Sequence, residues 1–109
     1  MLLCILLSDL PAEKCGNFMV SPGSHDLMSD FVRRHGATAL RSDAPNRLAL
    51  GKPRALLGRA GDVVLCHYLL AHDRQINLSP HIRYAVFFRL RKAGHRCSAL
   101  RSLSEPWSE

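Results

Sequence analysis

An apolar run that alternates between residues 82 and 90 is the feature that most constrains what this chain can fold into. Within Ile82–Leu90, every second position carries a large apolar side chain, which predicts a β-strand because successive strand side chains point to opposite faces. A shorter apolar run, Val63–Cys66, predicts a second strand upstream. Four polar residues follow the first run, the last of them at the start of the second run: His72, Asn77, Ser79 and Arg83.

The strand pattern places Arg83 in an apolar setting, because the next residues on its face include Phe87. A guanidinium drawn into such a setting needs a partner or destabilises the fold. No acidic residue occurs between Arg74 and the end of the predicted strand. The partner therefore comes from elsewhere in the fold, such as Asp9 or Asp62, or it is a small carboxylate ligand held by both arms of the guanidinium.

Composition limits the chain to at most one small packed domain. A chain of 109 residues buries about two-thirds of its unfolded surface, and an apolar fraction of 47% argues against disorder. The formal net charge of +6 would suit a nucleic-acid partner, but the basic residues form no run of five or more, so we expect none. The four cysteines have no CxxC spacing and are typical of free thiols, which predicts a reducing, cytoplasmic location.

The amino-terminal segment is apolar but lacks the other features of a targeting sequence. It has no basic residues before the apolar run, which ends at Ser8-Asp9 with no small-residue cleavage site. The run is also far too short to span a bilayer, so we expect no membrane partner. We expect a buried β-strand here, and a strand at this place indicates that its upstream partner strands are missing.

The segment between the first strand and Val63 alternates between short apolar runs and turn residues. Leu27–Arg34, followed by Gly36, predicts a short helix within an irregular insertion at residues 27–52. Three further strands are predicted at Phe18–Val20, Leu48–Leu50 and Arg54–Leu57.

Short strands with little helix predict a mainly-β fold with antiparallel strands of sandwich or barrel type. We assign residues 1–92 to this domain and residues 93–109 to a polar tail. Half a dozen short strands make only part of a closed jelly roll, and open edges with apolar faces are prone to associate. We therefore expect the chain to need a partner strand or a missing half.

Three motifs follow one another in these strands and turns: Pro22-Gly23-Ser24-His25, Ala60-Gly61-Asp62, and His72-x4-Asn77-x-Ser79-x3-Arg83. In this order and spacing they resemble the C-terminal half of the phytanoyl-CoA dioxygenase family, whose members are Fe(II)- and 2-oxoglutarate-dependent oxygenases. The resemblance covers roughly Leu2 to Arg91. It implies a partial double-stranded β-helix, which is a jelly-roll or cupin-like fold. It also implies Fe(II) and 2-oxoglutarate as cofactors and a small organic substrate that is hydroxylated.

By this resemblance, His72 matches the family's distal iron-ligating histidine, and Arg83 matches the arginine that pairs with the far carboxylate of 2-oxoglutarate. A cation fixed inside the barrel is what that carboxylate needs. Asn77 and Ser79 are expected to hold the loop between these two residues through side-chain to backbone hydrogen bonds. Ser79 is also a second candidate to contact the same carboxylate.

The chain departs from the family pattern at the other two iron ligands. The family supplies them as His-x-Asp or His-x-Glu, and neither occurs in these 109 residues. His67 lies close enough to His72 to be considered, but it does not provide the missing carboxylate. We therefore expect a catalytically silent chain, which is either a fragment of a longer enzyme or a genuine short protein. The alternative to an oxygenase function is a non-enzymatic half-barrel that acts as a binding or association module.

Overall fold

The part of the chain that the structure describes contains six short strands and a helix of 12 residues. This computed structural model describes residues 1–43, 48–91, 93, 101 and 103–104. A short 3₁₀ helix, Ala37–Arg41, follows the α-helix. The predicted polar tail at residues 93–109 lies largely outside the described residues, and so does Lys92, the predicted last residue of the domain. The tail and the domain bound therefore stay predictions. The elements in chain order are β1 (Leu2–Leu6), β2 (Phe18–Val20), α1 (Ser24–His35), β3 (Arg54–Ala55), β4 (Val63–Cys66), β5 (His72–Arg74) and β6 (Ala85–Arg89).

The strands pair into two three-stranded antiparallel sheets. The first has the order β4-β1-β6 and the second the order β3-β2-β5. In each sheet the central strand is wholly apolar. Such a sequence suits a strand that has a neighbour on each side and the core against one face. The mainly-β, antiparallel prediction with a short helical segment is confirmed. The finer prediction, half of a double-stranded β-helix, stays a prediction.

The core lies between the two sheets and is built by alternation along β1. Leu2, Cys4 and Leu6 are buried, whereas the residues between them are half-buried. Leu2 packs in one cluster with Phe18 of the second sheet, and Cys4 and Leu6 pack with Leu10. The two sheets are therefore joined by apolar side chains that point inward from their central strands.

The opposite face of the first sheet, which we call the outer face, is apolar and open to water. Leu3 of β1 lies between Leu65 of β4 and Phe88 of β6 in the strand register. Leu65 is 54% exposed, Phe88 47% and Val63 57%. Contiguous apolar surface of this kind is uncommon on monomeric proteins.

The helix α1 is longer than the predicted segment Leu27–Arg34. It begins after Gly23, which has a φ of 78°, and it is followed by Gly36, which has a φ of 81°. Glycine adopts this left-handed region without strain, so the two residues delimit the helix. Phe31 and Val32 are its buried apolar side chains. Within the described residues, no helix is both long and apolar enough to cross a membrane.

The predicted strands differ from the observed ones in extent. Leu48–Leu50 forms no strand, and the predicted Arg54–Leu57 is reduced to the two residues of β3. The predicted strand Ile82–Leu90 is shortened to Ala85–Arg89. The reason is that β6 pairs only along the five residues of β1, and a strand ends where its partner ends.

A buried amide connects the loop before β2 to the chain that follows β3. Asn17 is 0% exposed. Its Oδ1 accepts the backbone N–H of Cys15 at 2.9 Å, and its Nδ2 donates to the carbonyls of Ala12 and Leu56, both at 3.0 Å. The buried side chain thereby satisfies both its own polar atoms and three backbone groups, as a packed interior requires.

Candidate functional site

A cavity of about 360 Å³, which we call the first cavity, opens between the two sheets. Its apolar wall consists of Phe18 from β2 and Phe87 from β6, whose ring centroids lie 5.3 Å apart in an edge-to-face arrangement. The remaining lining is polar and comes from β5 and from the chain just before β6. The lining residues are Phe18, His72, Asp73, Arg74, Arg83 and Phe87.

His72 is the first residue of β5 and pairs with Val20 of β2 in the strand register. Its Nδ1 lies 2.8 Å from the carbonyl oxygen of Leu70. Because a carbonyl oxygen only accepts, this hydrogen bond requires the proton on Nδ1 and leaves the lone pair on Nε2. A histidine whose other ring nitrogen donates to a backbone carbonyl is oriented as metal-ligating histidines are. The exposed imidazole is therefore in the tautomer that could bind a cation through Nε2.

Arg83 lies beside β6 and lines the same cavity as His72. Its Cζ is 6.0 Å from the centroid of the Phe87 ring, which is within the range of a cation–π contact. Its aliphatic stem packs against Gly16, where a Cβ would lie 3.5 Å from Cβ of Arg83. Burial raises the pKa of the Cys4 thiol, and the positive charge of Arg83 partly opposes that shift. Arg83 as a residue is half-buried, with its stem against Gly16 and its Cζ above the ring of Phe87.

The two carboxylates considered as structural partners for Arg83 are engaged elsewhere. Asp9 accepts the backbone N–H of Ala60 at 2.7 Å, and Asp62 accepts that of Arg59 at 2.8 Å. Within the described ranges of the chain, Arg83 forms no ion pair with a carboxylate.

Ser79 lies in the loop between β5 and β6 and not in the first cavity. Its hydroxyl donates to Oδ1 of Asn77 at 2.7 Å, and its backbone N–H donates to the same oxygen at 3.0 Å. Nδ2 of Asn77 donates to the carbonyl of His81 at 2.8 Å. The predicted loop-holding role of Asn77 and Ser79 is therefore observed. Ser79 borders a second cavity, of about 550 Å³, that also touches Arg83.

The first residue of α1 and the turn before the helix anchor the backbone directly before β5. Oγ of Ser24 accepts the backbone N–H of Ala71 at 2.8 Å, and the carbonyl of Ala71 accepts the N–H of Ser21 at 2.9 Å. Ser24 is 0% exposed. The motif that contains Ser24 thus fixes the backbone directly before His72. No local sequence pattern predicts this contact.

Four lining residues were not assigned to the site from the sequence: Phe18, Asp73, Arg74 and Phe87. Arg74 is two residues after His72 on β5, so the alternation of a strand places both on one face. That spacing is the signal that could have identified Arg74. Phe18 is opposite Arg74 in the register between β2 and β5, and no local pattern indicates this long-range pairing.

The described residues do not form an iron site by themselves. No group of three or more histidine, cysteine, aspartate or glutamate side chains in the described part of the chain could hold a metal ion. His67 lines neither cavity, and its ring lies 5.9 Å from that of His25. The facial arrangement of two histidines and one carboxylate therefore does not fit the donors present here.

A family model for phytanoyl-CoA dioxygenase (PhyH) matches residues 3–85, a range that includes His72, Ser79 and Arg83. The chain belongs to the PhyH family. The resemblance predicted from the three motifs is confirmed, and the family is one of dioxygenases, a class of oxidoreductases. Comparison with curated proteins and comparison with solved structures each gave no match.

The environment of His67 in this PhyH chain predicts a loss of stability in acid. Burial lowers the pKa of His67 below its ordinary value of 6.5; His25 and the amino terminus lower it further, and Asp26 partly opposes them. The unfolded chain therefore takes up a proton first as the pH falls. The stability that depends on a neutral His67 ring is fully present above pH 6.5. As the pH falls below 6.5 this part of the free energy of unfolding is lost progressively, until the folded state is protonated as well.

Urea unfolding measured between pH 8 and pH 5 tests this expectation, with His67→Asn as the matched variant. Nδ1 of His67 accepts the backbone N–H of Leu69 at 3.1 Å, and the Asn oxygen can accept the same bond without titrating. The variant is expected to have a shallower loss of stability below pH 6.5 than the unmodified chain. Identical pH profiles for the two proteins would show that His67 has no part in it.

Proposed function

We propose that this chain forms the cosubstrate-binding part of an oxygenase site of the PhyH type. In this proposal, Arg83 binds the far carboxylate of 2-oxoglutarate, and His72 is one of three iron ligands. The single observation that supports it is that His72 and Arg83 line one cavity. Arg83 lies eleven positions after His72, and both come from the segment that the PhyH model covers.

The chemistry of Arg83 suits a carboxylate for two reasons. Its planar guanidinium can donate two parallel hydrogen bonds to the two oxygens of a carboxylate. It also lies half-buried beside Phe87, where an ion pair is screened less by water than on an open surface. A ligand carboxylate would therefore replace the partner that Arg83 lacks among the described residues.

The donors present also determine what the proposal requires from outside this chain. A His-x-Asp or His-x-Glu pair has to come from another segment or from a partner polypeptide, because these 109 residues contain neither motif. The exposed outer face of the first sheet is the surface on which that polypeptide would pack. The complete site would hydroxylate a small organic substrate in a reducing, cytoplasmic compartment, where free cysteines such as Cys4 and Cys66 persist.

Two titrations of the purified chain test the proposal. In calorimetry, 2-oxoglutarate is expected to bind saturably at one site, and an absence of binding would overturn the proposal. With Fe(II) and 2-oxoglutarate under anaerobic conditions, the chain alone is expected to give no metal-to-ligand charge-transfer absorbance. A strong band would mean that this chain supplies a complete iron site, so its assignment as one part of the site would be wrong.

A second candidate is a non-enzymatic half-barrel that acts as an association module. The observation that favours it is the apolar outer face around Leu3, Leu65 and Phe88. This function predicts association without diacid binding. The calorimetric titration with 2-oxoglutarate therefore separates the two candidates.

A further inference from the structure

Arg74 places a second guanidinium at the first cavity. Arg74 and His72 are the two ends of the three-residue strand β5, so their side chains leave the same face of that strand. Arg74 is opposite Phe18 in the strand register, and Phe18 is a buried wall of the cavity. Arg83 reaches the cavity from the neighbourhood of β6. Two cations, one from β5 and one from the segment directly before β6, therefore line one opening.

Neither guanidinium is neutralised within the described ranges of the chain. No ion pair involves Arg74 or Arg83 there. Asp73 also lines the first cavity, but its Oδ1 accepts the backbone N–H of Arg74 at 2.7 Å. The two arginines outnumber this one carboxylate, so the opening retains net positive charge. Such an opening attracts anions and favours those with more than one negative group.

Both arginines also border the second cavity, so they stand at the boundary between the two spaces. A ligand held there can place one anionic end against each guanidinium. Arg74 is held by its place on β5, whereas Arg83 lies in the segment directly before β6. A short chain with a carboxylate at each end has the matching chemistry, because each carboxylate can accept two hydrogen bonds from one guanidinium.

We propose that Arg74 and Arg83 form a two-arginine clamp that binds both carboxylates of a five-carbon dicarboxylate without a metal ion. This inference rests on the role of Arg83 in the proposed function and adds Arg74 as the second binding residue. It also follows from the donor set, because the described residues do not form a three-ligand iron site that could chelate the 2-oxo acid end. The 2-oxo group is then dispensable for binding, and the second carboxylate is not.

Calorimetry in the presence of EDTA tests the clamp with three ligands of similar size. 2-Oxoglutarate has two carboxylates and the oxo group, glutarate lacks the oxo group, and pentanoate lacks one carboxylate. The clamp predicts that glutarate binds within about threefold of 2-oxoglutarate, whereas pentanoate binds roughly tenfold more weakly or worse, since each charged hydrogen bond contributes appreciably. Loss of 2-oxoglutarate binding in EDTA, or equal affinities for glutarate and pentanoate, would overturn it.

The variant Arg74→Gln is expected to weaken glutarate binding roughly tenfold and to leave pentanoate binding unchanged. Arg59→Gln is the control, because Arg59 is exposed and lines neither cavity. If Arg83→Leu abolishes diacid binding but Arg74→Gln does not alter it, the clamp is wrong and the proposed function stands. If neither variant alters diacid binding, both are wrong.

Discussion

Replacing Arg83 with leucine is expected to weaken 2-oxoglutarate binding about 100-fold, which corresponds to about 2.7 kcal/mol. Two charge-assisted hydrogen bonds are lost together, and leucine offers no donor in their place. The edge-to-face contact between Phe18 and Phe87 does not involve Arg83, so the apolar cavity wall should persist. Calorimetric titration of the variant and the unmodified chain measures the difference directly.

Two further variants show whether the loss at Arg83 is specific. Arg89→Leu removes an arginine from β6, the strand that follows Arg83, but Arg89 lines neither cavity, so 2-oxoglutarate affinity should not change. Arg83→Lys keeps the charge and loses the forked geometry, so an intermediate affinity is expected. If Arg83→Leu binds as tightly as Arg89→Leu, the guanidinium of Arg83 does not contact the ligand.

Replacing Asn17 with alanine is expected to lower the free energy of unfolding by about 2–4 kcal/mol. The substitution removes a fully buried amide, and with it the partner of the N–H of Cys15 and of the carbonyls of Ala12 and Leu56. It also opens a small void beside the second sheet. Urea unfolding followed by far-ultraviolet circular dichroism gives the change in free energy.

The matched control for Asn17 is Asn77→Ala. Asn77 also uses its amide to hold a loop, through Ser79 and His81, but it is exposed, so water can replace the lost hydrogen bonds. A loss below about 1 kcal/mol is expected for this variant. Equal losses at the two asparagines would mean that burial of the amide is not what makes Asn17 important.

Local patterns predicted the strands that consist of apolar residues. Phe18–Val20 and Val63–Cys66 were placed at their observed bounds, and the amino-terminal strand was expected where β1 lies. The prediction failed where pairing decides the outcome. Leu48–Leu50 is apolar enough for a strand but forms none, and β5 has the polar sequence HDR yet pairs with β2.

The site was predictable only as far as a family motif reached. His72 and Arg83 follow from the spacing of that motif, and the structure brings both to one cavity. Arg74 and Phe18 were missed, because they join the cavity through the register between β2 and β5, which no local sequence pattern encodes. The same holds for the hydrogen bond from Ala71 to Ser24, which connects residues far apart in the chain.

The most direct test of the proposed site is a nuclear magnetic resonance titration of the isotopically labelled chain with 2-oxoglutarate. If His72 and Arg83 face one ligand, the ring Cε1–H signal of His72 and the Nε–H signal of Arg83 shift together and saturate at the same ligand concentration. The signals of His35 and Arg59, which line neither cavity, stay in place. Shifts confined to His35 or Arg59, with His72 and Arg83 unmoved, would contradict a shared diacid site between the two sheets.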